Sequence, residues 1–321
     1  MSPSRFYDII KTTELQVSIP KSSHFSIGTS PYYAHQHGLA IDIYHDLLLE
    51  NYIALSPVSG KILMIKPLIA PKSKFSGGID KDYLILIRNH SNPNLVWKLM
   101  HINPFGHVGD QVHIGDPLGK TIRNGYFAYW SSPHLHLEVR ASHDAIRARG
   151  GKNFTLAIKA GENLKKKNKR INYEDIPVEI IDICPEFILG RFPENFYFEI
   201  PPIHGIKGAI NQINKSNCLL DGGIPHYKIG TTISGQNHRF DISSPVYLGT
   251  NRIGTIYEVS KQLGFLKFDS IKFFLNNKEI RGISLYLASF LPLIKIIPYK
   301  KNEFDFSLNS TQYLSITSSS N

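Results

Sequence analysis

Short apolar runs alternate with turn-forming residues along most of the chain from Ile53 onward. Residues 83–88 and 95–101 are rich in aliphatic side chains, and the intervening segment 89–94 contains three Asn, one Ser and one Pro. This pattern predicts two strands joined by a hairpin loop. Comparable strand-turn-strand patterns recur over residues 54–65 and 109–119, so the chain is predicted to be mainly β.

The predicted strands fall into two β-rich regions separated by a hydrophilic segment. That segment includes three consecutive lysines at 165–167, which indicates a basic linker or, alternatively, a basic binding arm. The last residues of the chain are rich in Ser and Thr and are expected to fray. The predicted organisation is an N-terminal extension (1–29), a first domain (30–145), a basic linker (146–170), a second β-rich domain (171–306) and a Ser/Thr-rich tail (307–321).

The chain is basic, with a formal net charge of +10 over 321 residues and a pI of about 9.4. Such a surface suits an anionic partner, for example an anionic cell-wall polymer, or it serves solubility alone. No dense Lys/Arg stripe accompanies a nucleic-acid-binding motif, so no nucleic-acid partner is expected. No stretch approaches the roughly 20 apolar residues of a membrane-spanning helix, and the first residues lack the pattern of a secretory signal.

The segment 133–140, with the sequence Pro-His-Leu-His-Leu-Glu-Val-Arg, carries the strongest candidate chemistry. Residues two apart in a strand point to the same face, so His134 and His136 would project side by side. Leu135 and Leu137 would then enter a core. Two neutral imidazoles on one strand suit zinc binding, or one metal ligand beside one group that handles a proton.

Two upstream segments supply further candidates. Asp42 lies in an apolar run, where a carboxylate is costly unless it is paired or bound to a metal. His35 and His37 precede it, and Gly38 allows the backbone to turn so that His and Asp converge. His101 ends a predicted strand, a position where functional residues often collect.

The order of these motifs resembles the lysostaphin-type zinc metallopeptidases, a family that includes the murein endopeptidases of bacterial cell walls. The resemblance covers about residues 30–140 and includes the Gly-Asp turns of 109–119 and the His-x-His strand. It implies a lysostaphin-type barrel-sandwich hybrid domain, a fold related to that of lipoyl and biotinyl domains. A carrier function would need a modified lysine at a hairpin tip, and Lys61 lies in no recognisable tip motif.

The resemblance also implies a role for each candidate residue. His37, Asp42 and His136 would bind one zinc ion. His101 and His134 would orient the attacking water or take its proton, and would steady the oxyanion of the tetrahedral intermediate. The protein would be a zinc-dependent endopeptidase acting on cell-wall or related peptides. The resemblance implies a location outside the cytoplasm, whereas the lack of an export signal indicates the cytoplasm, so both compartments stay open.

Two departures from the family pattern leave alternatives open. The family usually spaces its ligands as His-x-x-x-Asp, which here would place the first ligand at Gly38. We favour His37, with a one-residue bulge around Gly38, and keep His35 as the fallback. Residues 123–130 are bulkier and more aromatic than the family's loop, which indicates an altered substrate groove or a packed loop. If neither histidine reaches the metal, the chain is a catalytically degenerate, peptidase-like binding or regulatory module.

Overall fold

Antiparallel strands make up most of the protein. The computed structural model describes residues 5–159, 175–210, 216–235 and 240–318. The chain divides into two compact units, Met1–Phe25 with Tyr33–Ala157 and Ser26–Tyr32 with Ile158–Asn321. The predicted fold class is confirmed, since the protein is mainly β and a second β-rich region follows the first. Within the described part of the chain, no helix has the length and apolar character that crossing a membrane requires.

The strands of the first part of the chain are mostly short. They are β1 (Phe6–Lys11), β2 (Gln16–Pro20), β3 (His24–Ser26), β4 (Ala40–Tyr44), β5 (Ile53–Leu55), β6 (Gly60–Ile69), β7 (Lys81–Arg88), β8 (Leu95–Met100), β9 (Ile102–Pro104), β10 (Gln111–Val112), β11 (Pro117–Thr121) and β12 (Leu135–Ala141). One helical turn, α1 (Tyr33–Gln36), precedes β4, and a 3₁₀ helix (Ser142–Asp144) follows β12. Part of the predicted N-terminal extension forms the hairpin β1–β2 within the first unit.

A six-stranded antiparallel sheet, ordered β4-β12-β8-β7-β6-β10, positions the candidate site. The strand β12 pairs on both edges and is buried on both faces. Its side chains alternate, so that one face carries Leu135, Leu137 and Val139 and the other carries His136, Glu138 and Arg140. A buried row of polar groups is costly unless every member finds a partner. The partners of this row define the site.

The chain changes sheets at His101. The preceding strand β8 pairs with β7 and β12, whereas the following strand β9 pairs with β11 in a three-stranded sheet ordered β5-β11-β9. At the junction, His101 has a φ of 67°. A left-handed conformation is uncommon for a residue with a side chain, and it persists where the surrounding structure enforces it.

The second unit contains the remaining strands. They are β13 (Ile176–Cys184), β14 (Phe187–Arg191), β15 (Tyr197–Ile200), β16 (Ile203–Ile210), β17 (Ser216–Ile224), β18 (Ile229–Ile233), β19 (Pro245–Leu248), β20 (Asn251–Ser260), β21 (Leu263–Phe268), β22 (Ile271–Leu275), β23 (Lys278–Ile280), β24 (Gly282–Leu285), β25 (Leu287–Ala288), β26 (Ile294–Ile297) and β27 (Thr311–Ser318). A 3₁₀ helix (Glu194–Phe196) precedes β15. The strands β16, β17, β18, β21, β20 and β19 pair in that order around a closed ring.

The C-terminal segment differs from its prediction. Fraying of residues 307–321 is wrong for 311–318, which form β27 between β13 and β22. Leu314 and Ile316 alternate with more exposed residues and pack into the core of the second unit. Burial of this apolar face outweighs the Ser/Thr-rich composition. Residues 160–170 of the predicted linker, including the lysine run, lie outside the described residues.

Replacement of Leu314 by Ala should destabilise the second unit by about 2–5 kcal/mol, because it removes fully buried methyl groups and leaves a cavity. Tyr313 is its neighbour on the same strand and is 54% exposed. Tyr313→Ala should therefore change the free energy of unfolding by less than about 1 kcal/mol. Urea unfolding of both variants measures the difference. Equal effects would contradict the packing of β27.

Candidate metal centre and its histidines

Pairing of β12 with β4 places His136 directly opposite Asp42. Opposed residues of an antiparallel pair have Cβ atoms about 4.5–5.5 Å apart, so their side chains can meet on one face. Here His136 Nδ1 lies 2.9 Å from Asp42 Oδ1. Asp42 is only 1% exposed. Its carboxylate is therefore paired, as the cost of burying it among apolar residues requires.

The segment before Asp42 is a helical turn and not a bulged strand. At its end, Gly38 has a φ of 61° and donates its N–H to the His35 carbonyl. The next N–H, that of Leu39, donates to the Ala34 carbonyl. These two hydrogen bonds around a left-handed glycine form the Schellman motif, which ends a helix. In a helical turn, unlike in a strand, residues two apart point to different sides, so only one of His35 and His37 can face the site.

His35 faces inward. It is 2% exposed, and its Nε2 lies 3.2 Å from Asp42 Oδ1 and 3.2 Å from His136 Nδ1. The structure thus brings together His35, Asp42 and His136, the three residues of a buried group whose ligand atoms could hold a metal ion.

His37, which the sequence favoured as the first metal ligand, lies apart from this group. The geometry expected around it is therefore corrected. Its Nδ1–H donates to the Tyr33 carbonyl at 2.9 Å, and its ring stacks on the Tyr33 ring with centroids 4.1 Å apart. The expected bulge at Gly38 does not form, because the backbone there closes the helical turn. The fallback His35 occupies the position beside Asp42.

The three donor atoms fit the dimensions of a zinc site. They form a triangle with sides of 3.2, 3.2 and 2.9 Å. Tetrahedral zinc with bonds of about 2.0–2.1 Å separates its ligand atoms by roughly 3.3 Å. Two imidazoles and a carboxylate form a common donor set for a catalytic zinc, which leaves one position open.

The ionised Asp42 suits a cation, whereas His136 must release its Nδ1 proton to bind one. Burial alone would raise the pKa of Asp42, but His134, His35 and the hydrogen bond from His136 lower this pKa well below its usual range. Burial alone would lower the pKa of His136, but hydrogen bonds to Asp42 and Glu138 raise it to about 9. Asp42 is therefore ionised, as a metal-binding carboxylate must be.

Glu138 orients His136 from behind. Its Oε1 lies 3.1 Å from His136 Nε2 and 2.8 Å from Lys98 Nζ, and its Oε2 lies 3.0 Å from Arg140 Nη1. Burial would raise the pKa of Glu138, but bonds to His136 and Lys98 lower it to about 2. A carboxylate behind a metal-binding imidazole fixes its tautomer and ring direction. Here Nε2–H points to Glu138, and Nδ1 faces Asp42.

This supporting network was not identified in the sequence. Arg140 is fully buried and donates to the carbonyl oxygens of Asp144, Arg149 and Gly150. The available signal was the alternation His-x-Glu-x-Arg in a strand whose other face is apolar. Lys98 carries no such signal, because only the pairing of β8 with β12 places it opposite Glu138.

His134 lies just before β12, on the other side of Asp42. Its Nδ1–H donates to the Ser132 carbonyl at 2.9 Å, and its Nε2 lies 3.4 Å from Asp42 Oδ2. Burial lowers its pKa to about 4 despite the adjacent carboxylate. His134 is therefore neutral near pH 7, with the lone pair on Nε2.

His101 completes the cluster. Its ring lies 5.4 Å from that of His134 and 5.7 Å from that of His136, measured between centroids. Its Nδ1 lies 2.6 Å from Oδ2 of Asp82, a fully buried residue that was not identified in the sequence. The available signal was an aspartate near the start of an apolar strand.

Within the aromatic segment 123–130, Phe127 packs against two of the site histidines, which agrees with a packed loop; the altered substrate groove stays a prediction. The Phe127 ring lies 4.9 Å from that of His101 and 4.7 Å from that of His134, and it is 6% exposed. Arg123 supports the loop by stacking on Phe75 at 4.2 Å and by donating to the Tyr129 carbonyl. The loop therefore covers one side of both histidines.

Comparison with known proteins finds two domain models and two solved structures. Residues 14–156 match the N-terminal domain, and residues 202–309 the C-terminal domain, of a domain of unknown function (DUF8155). The antimicrobial peptidase lysostaphin from Staphylococcus simulans is 13% identical with a TM-score of 0.27, over 92% of this chain and 96% of that chain. A solution NMR structure of lysostaphin is 14% identical with a TM-score of 0.25, over 93% and 96%. No curated protein matches the chain.

Replacement of Lys98 by Met should lower the free energy of unfolding by about 3–5 kcal/mol, because it removes one partner of a buried ion pair. Lys11 offers a matched control in the same unit, since its pair with Asp8 is half-exposed. Lys11→Met should cost less than about 1 kcal/mol. Urea denaturation compares the two variants. A loss for Lys98→Met as small as that for Lys11→Met would contradict the buried network.

Proposed function

We propose that the first unit is a zinc-dependent endopeptidase that cleaves cell-wall or related peptides. The observation that carries the proposal is the triangle formed by His35 Nε2, Asp42 Oδ1 and His136 Nδ1, whose sides match those of tetrahedral zinc. The motif order over residues 30–140, which resembles the lysostaphin-type metallopeptidases, supports the same activity. The shorter His–Asp spacing of that family is replaced here by a helical turn that brings His35 to the site.

Two imidazoles beside the metal position would handle the proton and the oxyanion. When bound, zinc supplies a Lewis acid that polarises the scissile carbonyl and activates water. His134 is neutral and has its Nε2 lone pair beside Asp42, so it can accept a hydrogen bond from the attacking water or, once protonated, donate one to the oxyanion. His101 lies against it and forms the second such group.

The substrate follows from the same resemblance. Peptides of the bacterial cell wall are short and rich in Gly or D-amino acids, and they belong to an anionic polymer outside the cytoplasm. The net charge of +10 suits attraction to such a polymer. The alternative, a degenerate binding module, predicts no metal at full occupancy and no cleavage.

The full chain should bind about one equivalent of zinc, and His35→Ala should abolish this binding because it removes one of three ligands. His37→Ala is the matched control, since its ring stacks on Tyr33 away from the group. It should retain the zinc. Metal analysis after dialysis against a weak chelator measures both. Loss of zinc in His37→Ala together with retention in His35→Ala would reverse the assignment.

Hydrolysis should require His134 without requiring it for metal binding. His134→Ala should lower kcat by about 10²-fold or more while keeping one zinc, because its Nε2 accepts a hydrogen bond that orients the attacking water, and a small misplacement of a reactant costs about 10²-fold. The assay uses purified peptidoglycan and a panel of Gly- and D-amino-acid-containing peptides, analysed by mass spectrometry. The control is His107→Ala, because the His107 side chain is 90% exposed. Zinc-loaded wild type that cleaves no member of the panel would favour the binding module.

A further inference from the structure

Both oxygens of Asp82 hold His101. Oδ2 accepts the ring Nδ1–H at 2.6 Å, and Oδ1 accepts the backbone N–H at 2.9 Å. The carboxylate therefore fixes the ring and the main chain of the same residue. That residue is the one with a left-handed φ of 67° at the junction of two sheets. Strained backbone that the surroundings enforce often marks a functional position.

Asp82 is itself held in place. Its Oδ1 also accepts the Tyr83 N–H at 2.7 Å, and the Asn124 amide bonds to its carboxylate. Asn124 is fully buried and also donates to the Lys81 carbonyl at 3.1 Å. Burial would raise the pKa of Asp82, but His101 and these donors lower it. Asp82 is thus an ionised carboxylate, and these hydrogen bonds fix the orientation of its side chain.

His101 and His134 share one tautomer and differ in one partner. Each donates Nδ1–H, His101 to Asp82 and His134 to the Ser132 carbonyl, so the neutral form of each ring has its lone pair on Nε2. A carbonyl is neutral, whereas a carboxylate stabilises the imidazolium that forms when the ring gains a proton. The buried carboxylate is therefore placed behind the histidine that would gain a proton.

We propose that Asp82 is a positioning residue that keeps His101 in the Nδ1–H form and reserves Nε2 to accept the proton of the attacking water. The inference rests on the proposed peptidase function. As the water oxygen bonds to the carbonyl carbon, its proton passes to His101 Nε2. As the C–N bond breaks, the same proton passes to the departing amine, so that His101 returns to its neutral form.

Asp82→Asn tests the proposal with little change of shape. Two backbone N–H groups, those of Tyr83 and His101, require an acceptor at the position of Oδ1. The asparagine oxygen must serve them, so its NH₂ group faces His101 Nδ1. His101 Nδ1 must then accept a hydrogen bond from this NH₂ group, so the ring proton moves to Nε2. The variant should therefore hold the wrong tautomer of His101.

The tautomer is measured by NMR of the full chain labelled with ¹⁵N-histidine, with and without zinc. Wild type should show a hydrogen-bonded Nδ1–H on His101, and Asp82→Asn should show the proton on Nε2. The control Asp80→Asn makes the same change two residues away at an exposed position and should keep the wild-type tautomer. Wild-type His101 protonated on Nε2 would overturn the proposal, whatever the activity.

Kinetics provide the second measurement. Asp82→Asn should keep one equivalent of zinc, lower kcat by about 10²-fold or more and leave KM within about twofold. In a His101→Ala background the same substitution should cause no further loss, because Asp82 acts only through His101. A full additional loss there would indicate a merely structural role and overturn the proposal. If the NMR result holds but zinc-loaded wild type cleaves nothing, the peptidase proposal fails while the Asp82–His101 pairing remains supported.

Discussion

The rest of the site depends on the buried carboxylate of Asp42. Its Oδ1 lies between His35 and His136, and its Oδ2 faces His134. The register of β12 against β4 creates this arrangement, because His136 is the residue directly opposite Asp42. A slip of one residue would turn the polar row of β12 to the apolar face and place a leucine opposite the carboxylate. The register of β12 against β4 therefore determines the geometry of the metal site.

Three of the histidines are oriented by a partner on one ring nitrogen. Glu138 takes Nε2–H of His136, whereas Asp82 and the Ser132 carbonyl take Nδ1–H of His101 and His134. His136 thus presents Nδ1 to the metal position, and His101 and His134 have Nε2 available. Such outer partners decide which nitrogen acts, since the two nitrogens of a neutral imidazole differ in role. His136 itself and the buried Lys98 keep Glu138 ionised.

Several features follow from local sequence alone. Period-two alternation predicts the strand around His136 and the opposite, core-facing side that Leu135 and Leu137 take. The Asn-rich segment 89–94 predicts the hairpin between β7 and β8, which the structure contains. The cost of burying a carboxylate singles out Asp42 before any fold is known. Each inference needs only the spacing or the polarity of neighbouring residues, and these are local properties of the chain.

Tertiary structure decided the rest, because it depends on residues far apart in sequence. The choice between His35 and His37 depends on a four-residue helix, which is too short to be stable without its cap and its packing. Asp82 meets His101 across 19 residues only because β7 pairs with β8. The Ser/Thr-rich C-terminal segment becomes a strand because Leu314 finds a core to enter. Local patterns set which face a side chain takes, whereas strand pairing sets what it meets there.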